Sequence, residues 1–240
     1  MRATTYRNKV FQTADEAVAD IHDGAVVMVG GFGVAGDTPQ LLLRALGKLG
    51  PKNLTIITNS AGTGGKLAAR WWSMPNFADP NILAGNGQVK KLICSISFPG
   101  TSFEKAILSG NVEVEWVPQG TLAERIRAGG FGIGGFYTRT GIDTAVDQGK
   151  ERKVIDGREY LLELPLKADF ALIRAHTADT YGNLAYRGNT RSFNAIMAPS
   201  ATVTIAEVDE IVDAGQLDPE MVVTQEIFVH RVTRSTEVRS

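Results

Sequence analysis

Three glycines, Gly31, Gly33 and Gly36, stand in the spacing G-x-G-x-x-G inside "MVGGFGVAGDTP", residues 28–39. An apolar run precedes them, and Thr38-Pro39 opens what reads as a helix. A strand, a glycine turn and a helix in that order frame a dinucleotide-binding turn, where backbone N–H groups and a helix N-terminus hold a pyrophosphate. That chemistry needs one more group: an Asp or Glu about 20 residues on, at the end of the second strand, to take the ribose hydroxyls. Here "LTIIT" (54–58) ends in Asn59 and Ser60, and Asp37 puts a negative charge inside the turn itself. The glycine spacing is present and its most informative companion is absent, so an NAD site is not expected.

Two carboxamides offer other chemistry. Asn59 follows the strand "LTIIT", and Gln119 follows "VEVEWVP" (112–118). In a doubly wound sheet the carboxyl ends of parallel strands share one rim, and the glycine turn lies on it too. Neutral amides and free backbone N–H groups there suit a carboxylate or an enolate-like oxygen without a full opposing charge. The plainer alternative is that both amides cap loops and that the glycines only let a helix pack close to a strand. At this level both readings stand.

The elements that must position these residues can be read in order. "TADEAVADIHDG" carries Thr13 and Glu16 in capping-box spacing, with Gly24 placed to close the helix. "AVVMVGG" is a buried strand, and "TPQLLLRALGKLG" is a helix with Pro39 in its first turn. "LTIIT", "VKKLICSIS", "ADFALIRAH" and "ATVTIAEV" read as further buried strands, and "VEVEWVP" as a half-buried one. Helices are expected at "SFEKAILSG" and "TLAERIRAG". The glycine-dense "GGFGIGGFYTRTG" (129–141) reads as a loop, either mobile or wrapped around a ligand or partner. "RKVIDGREYLLEL" is a hairpin turning at Asp156-Gly157. Strand–helix–strand order predicts right-handed parallel crossovers. The expected class is α/β, a mostly parallel sheet with helices on both faces and an inserted β-hairpin. No linker or repeat divides the chain, so residues 1–240 are expected to form one domain.

Composition narrows the partners. The 240 residues carry a net charge of −1, so no basic field argues for nucleic acid or an anionic membrane. No apolar run approaches the ~20 residues of a membrane span. The start, "MRATTYRNKVFQT", lacks the apolar core of a signal peptide, and a cytoplasmic protein is expected. The one cysteine, Cys94, sits in the apolar run "LICSI" and reads as a buried strand residue. His22, His176 and His230 have no metal-ligand spacing, and no metal is expected.

Several stretches resemble the A subunit of the family I 3-oxoacid CoA-transferases. They are "VGGFGVAG", "VPQGTLAERIRAGGFGIGGFYTRTG", "ADFALIRAHTADTYGNLAY", "RSFNAIMAPSATVTIAEVDEIVDAGQLDPEMV" and "IFVHRV", in order from about Val10 to Val232. The most specific is "PQGTLAERIRAGG". The resemblance implies a CoA-transferase-like fold and transfer of CoA between an acyl-CoA, typically succinyl-CoA, and a short 3-oxoacid such as acetoacetate or 3-oxoadipate. CoA is then a substrate and no resident cofactor is implied. The reaction runs through a glutamyl-CoA thioester on a glutamate in a Glu-x-Gly context, which the family carries in its B subunit. No glutamate of this chain has glycine two places on; only Asp147 and Asp213 do. The resemblance thus implies a B-subunit partner, an A2B2 hetero-oligomer and, on this chain, a substrate wall of Gly30, Gly31, Phe32, Gly33, Asn59 and Gln119. Acyl-CoA and small carboxylic acids would be the ligands. The chain departs from the family pattern in a long loop holding Trp71-Trp72 and in "GNTRSFN", which keeps Arg191, Phe193 and Asn194. Two alternatives stay open: a CoA-ester hydrolase or C–C-cleaving relative, and a non-catalytic acyl-CoA or carboxylate-binding module.

Overall fold

Nine strands build the main sheet of the computed structural model, which describes residues 8–32, 37–64, 70 and 76–235. Gly33 and Gly36 of the glycine turn and the Trp71-Trp72 pair lie outside the described residues. In chain order the strands are β1 (Val10–Phe11), β2 (Val26–Val29), β3 (Leu54–Thr58), β4 (Val89–Cys94) and β5 (Glu113–Trp116). The short β6 (Phe136–Thr138), β7 (Arg152–Ile155) and β8 (Arg158–Glu163) follow. The chain then returns through β9 (Ala168–Asp179), β10 (Leu184–Ala185), β11 (Ala201–Val212) and β12 (Arg231–Arg234). The spatial order is β1-β12-β11-β9-β2-β3-β4-β5, all parallel, with β10 antiparallel on β9.

Helices cover both faces, as the apolar runs require for a parallel sheet. On one face lie α1 (Ala14–Val18), α2 (Gln40–Leu49), α3 (Asn81–Gly85) and α4 (Ser102–Leu108), with Ala17, Leu42, Leu83 and Phe103 in one core. On the other lie α5 (Gln119–Gly130) and α6 (Ser192–Met197), whose Leu122, Ile126, Phe193 and Met197 enter a second core.

Local signals explain several boundaries. Thr13 Oγ1 accepts the Glu16 N–H at 3.1 Å, and the Glu16 carboxylate accepts the Thr13 N–H at 3.3 Å, completing the expected capping box. The helix is shorter than its pattern suggests. Asp23 accepts the Lys52 N–H and Gly24 donates to Lys52 O, both ties to the α2–β3 connection that unwind the last expected turn. Asp156 and Gly157 both have positive φ, 50° and 71°, the geometry of the two-residue hairpin turn between β7 and β8.

The glycine-dense stretch is not simply a loop. Its first residues finish α5, where a Cβ on Gly129 would lie 1.9 Å from Leu166 O and one on Gly130 would lie 2.7 Å from Ser200 Oγ. These two glycines serve close packing. Further on, β6 pairs antiparallel with β8, so the expected hairpin is a three-stranded sheet, β6-β8-β7. The strands β9 and β11 run to Asp179 and Val212, past the ends expected at 176 and 208.

Cys94 is fully buried at the end of β4, and burial pushes its thiol up to about 12. A raised pKa means that the folded chain keeps this proton where the unfolded chain loses it. The stabilisation is complete below the ordinary thiol value of 9.0 and fades as pH climbs toward about 12. At pH 8 iodoacetamide should leave the native chain unlabelled and modify one thiol per chain in guanidinium. Stoichiometric labelling of the native chain would contradict the placement of Cys94.

Candidate functional site

Because the sheet is parallel, the turns after β2, β3, β4 and β5 all open on one rim. The turn after β2 is held by the chain's own groups. The Gly30 N–H donates to Leu172 O on β9 at 2.9 Å. Gly31 has φ +103°, a conformation that favours glycine. The Phe32 N–H donates to the Asp37 carboxylate at 2.7 Å, and the fully buried Asn194 of α6 donates through Nδ2 to the Asp37 carbonyl at 2.9 Å. The Phe32 ring is half exposed, with its centroid 6.1 Å from that of Phe193.

The next anion site of a dinucleotide turn, the helix N-terminus, is also filled. Glu207 of β11 is fully buried and accepts the Leu41 and Leu42 N–H groups of α2 at 2.8 and 3.2 Å. Arg174 lies directly opposite it on β9 and pairs with it through Nη1, while Nη2 pairs with Asp209. Burial holds the Glu207 carboxyl above its ordinary pKa, and the Arg174 charge works against that. A pyrophosphate brought to this turn would meet two carboxylates, already on the Phe32, Leu41 and Leu42 N–H groups. The structure therefore gives the absent ribose-binding acid a second, geometric reason to go with it.

Asn59 lies just past β3 and is 3% exposed. The β3–β4 pairing continues beyond it, with Ser95 N–H donating to Asn59 O at 3.0 Å and Ala61 N–H to Ile96 O at 2.9 Å. Its Nδ2 faces Phe32 O at a long 3.5 Å, and its Oδ1 is buried with no partner among the described residues. Gln119 is the first residue of α5 and is exposed. Pro118, at the N-cap, supplies no side-chain bond to that helix, and Gln119 makes none of its own among the described residues. The loop-capping alternative for Gln119 thus has no contact behind it. Asn59 and Gln119 share the rim but stand two strand spacings apart, about 10 Å.

Between them the rim is polar and unsatisfied. Seven buried side-chain polar atoms lack a hydrogen-bond partner among the described residues, and four lie here: Asn59 Oδ1, Ser95 Oγ, Ser97 Oγ and Thr121 Oγ1. Buried polar groups are nearly always paired, so a cluster of orphans marks where another molecule is expected to supply partners. Beside Ser97 the surface turns apolar, in a groove of about 260 Å³ lined by Phe98, Pro99, Leu108 and Trp116. Carboxylates near the rim are engaged within the chain. Asp79, kept above its ordinary pKa by burial, accepts the Thr63 and Gly64 N–H groups at 2.8 and 2.9 Å and so fixes the turn after β3.

The serines and Thr121 were missed by residue type alone, since single hydroxyls carry no spacing signal. Arg174 and Glu207 left a readable trace: opposite charges each embedded in an apolar run, "ALIRAH" and "TIAEV", which only mutual pairing makes tolerable in a core.

The sequence profile described as Coenzyme A transferase matches residues 11–235. The chain belongs to this family. The A subunit of a 3-oxoadipate CoA-transferase of Acinetobacter baylyi is 47% identical over 227 residues, 94% of each chain. The A subunit of a succinyl-CoA:3-ketoacid coenzyme A transferase of Helicobacter pylori strain J99 is 40% identical over 225 residues, covering 94% of this chain and 91% of its own. Among solved structures, an acyl-CoA transferase of Escherichia coli O157:H7, crystallised as a thioester complex with CoA, shares the fold. The TM-score is 0.83 at 24% identity over 98% of this chain and 48% of that one, so this transferase chain spans about half of that protein.

Among the described residues of the transferase chain, no three His, Cys, Asp or Glu side chains converge as metal ligands do. No described helix is long and apolar enough to cross a membrane.

Replacing Glu207 by alanine removes the cap of α2 and leaves Arg174 with an unmatched buried charge. The expected loss is about 3–5 kcal/mol. For a chain of this size that lowers Tm by about 6–20 °C in a calorimetric melt. A drop under about 2 °C would show that the pair does not hold the turn.

Proposed function

We propose that this chain is the A subunit of a heteromeric 3-oxoacid CoA-transferase, moving CoA between succinyl-CoA or another acyl-CoA and a short 3-oxoacid such as acetoacetate or 3-oxoadipate. The observation that carries this reading is the unsatisfied rim from Asn59 to Gln119, which offers neutral amide and hydroxyl groups, in a sequence with no glutamate in a Glu-x-Gly context. Such a surface can bind an acid and its acyl oxygen. It cannot supply the carboxylate nucleophile, which is assigned to a partner, the B subunit.

The chemistry splits one hard exchange into several easier ones. The partner's glutamate attacks the thioester carbonyl carbon and expels CoA as a thiolate, leaving an acyl anhydride. The thiolate attacks the glutamyl carbonyl of that anhydride, releasing the donor acid as its carboxylate and forming glutamyl-CoA. The acceptor carboxylate then runs the same steps backwards. Every step passes negative charge between a carboxylate and the CoA thiolate by way of a carbonyl oxygen. Neutral N–H donors stabilise that charge in either location without trapping it in one.

On this chain Gln119 offers a side-chain N–H to the acceptor acid. Gly30, Gly31 and Phe32 stand farther along the same rim, with Asn59 Nδ2 facing the Phe32 carbonyl, and Gly33 is assigned to the same substrate wall by its place in the sequence. CoA enters as a substrate, and no metal or resident cofactor takes part. One domain per chain, an A2B2 assembly and a cytoplasmic setting complete the proposal.

Reconstitution tests it. The purified chain should give no turnover of succinyl-CoA with acetoacetate, followed at the enol absorbance of the product, and should gain it with a B subunit. Turnover by the chain alone would contradict the assignment. In the complex, Gln119→Ala removes a hydrogen bond to a charged group, about 1.5–3 kcal/mol. The expected fall in kcat/KM is about ten- to hundredfold, since ~1.4 kcal/mol is tenfold. Tm should not move, because Gln119 is exposed and has no hydrogen-bond partner among the described residues to lose. A lower Tm with unchanged kcat/KM would make Gln119 structural.

A further inference from the structure

Among the described residues the side-chain hydrogen bonds of Asn194 all run to main-chain groups and fix other segments. Its Oδ1 accepts the Arg174 N–H on β9 at 2.8 Å, and its Nδ2 donates to the Thr190 and Asp37 carbonyls, each at 2.9 Å. The oxygen stands where a side chain on Gly30 would begin: a Cβ there would lie 1.8 Å from it. Gly30 must therefore be glycine for Asn194 to reach β9. One carboxamide thus ties β9 and α6 to both ends of the turn that leads from β2 to α2.

The string continues toward the rim. With its carbonyl held by Asn194, Asp37 accepts the Phe32 N–H on its carboxylate at 2.7 Å. The Phe32 carbonyl in turn faces Asn59 Nδ2 at 3.5 Å. An amide nitrogen carries two N–H donors, so the carbonyl that takes one fixes the direction of the other. At 3.5 Å that lean is at the limit of a hydrogen bond, and a shift of a few tenths of an ångström ends it.

We infer that Asn194 is a positioning residue for substrate binding, setting the orientation of the Asn59 carboxamide through Asp37 and Phe32. This rests on the assignment of Asn59 to the acid pocket. Asn194 touches no reacting atom. Its role is to keep the Phe32 carbonyl where it takes one Nδ2 hydrogen of Asn59 and so fixes the direction of the other, the donor an acid would use.

The test uses the reconstituted A–B complex with succinyl-CoA as donor and acetoacetate as acceptor. Asn194→Asp keeps the acceptor for Arg174 and the packing on Gly30 but loses the donor to Asp37. The KM for acetoacetate should rise about tenfold or more, with kcat within about threefold of the parent. Asp37→Asn weakens the acceptor for the Phe32 N–H one link further along. It should raise the same KM by less, and it decides the matter if the Asn194 variant does not fold. Both effects should vanish in an Asn59→Ala background, which a purely structural role would not bring about. If Asn59→Ala raises the KM while the other two variants leave it alone, or if their effects persist in that background, the string is overturned and the acid pocket stands. If Asn59→Ala itself leaves the KM unchanged, the assignment of Asn59 falls and takes the inference with it.

Discussion

The buried pair of Glu207 and Arg174, side by side on the two long central strands, is the constraint on which the rest is arranged. A lone buried carboxylate costs several kcal/mol, and this one is tolerable because a guanidinium and two helix N–H groups surround it. In exchange the start of α2 is fixed over the sheet, and with it the turn that leads there from β2. Among its described residues, the Phe32, Leu41 and Leu42 N–H groups are already taken. Asp37 fills one end and Glu207 the other. The described ends of a glycine motif that elsewhere cradles phosphates are here tied to the chain's own carboxylates, and Phe32 O faces Asn59 Nδ2.

That arrangement moves the chemistry along the rim. From Asn59 through Ser95 and Ser97 to Thr121, polar atoms are buried and unmatched, and Gln119 stands exposed at the uncapped start of α5. Such a surface is incomplete by itself, since desolvated polar groups need partners. In a coenzyme A transferase whose relatives are named as A subunits, a substrate and a second protein chain are the expected suppliers. The absence of cationic groups among these orphans fits a reaction in which acids must both bind and leave.

Much of the sheet was legible because its inner strands are continuous apolar runs. Met28, Ile57 and Ile93 are buried as a parallel sheet demands, and β5 read as half-buried because it is an edge. The short β1, β10 and β12 left no comparable run, being two to four residues long. The end of α1 misled because Ala14, Ala17, Val18 and Ile21 keep helical spacing past the point where Asp23 and Gly24 are drawn to Lys52. No local pattern carries a contact that distant. The same limit applies at the site. Residue type and strand ends placed Asn59 and Gln119 on one rim, but their separation by β4 and the burial of Asn59 Oδ1 are properties of the assembled sheet.

The central claim is that this chain holds the acid while another chain carries the covalent chemistry. The most direct measurement is denaturing mass spectrometry of the A–B complex quenched after mixing with succinyl-CoA alone. The account predicts that the partner chain gains the mass of CoA less water, on a single glutamate, and that this chain keeps its native mass. Covalent CoA on any residue of this chain, with the partner unmodified, would contradict it.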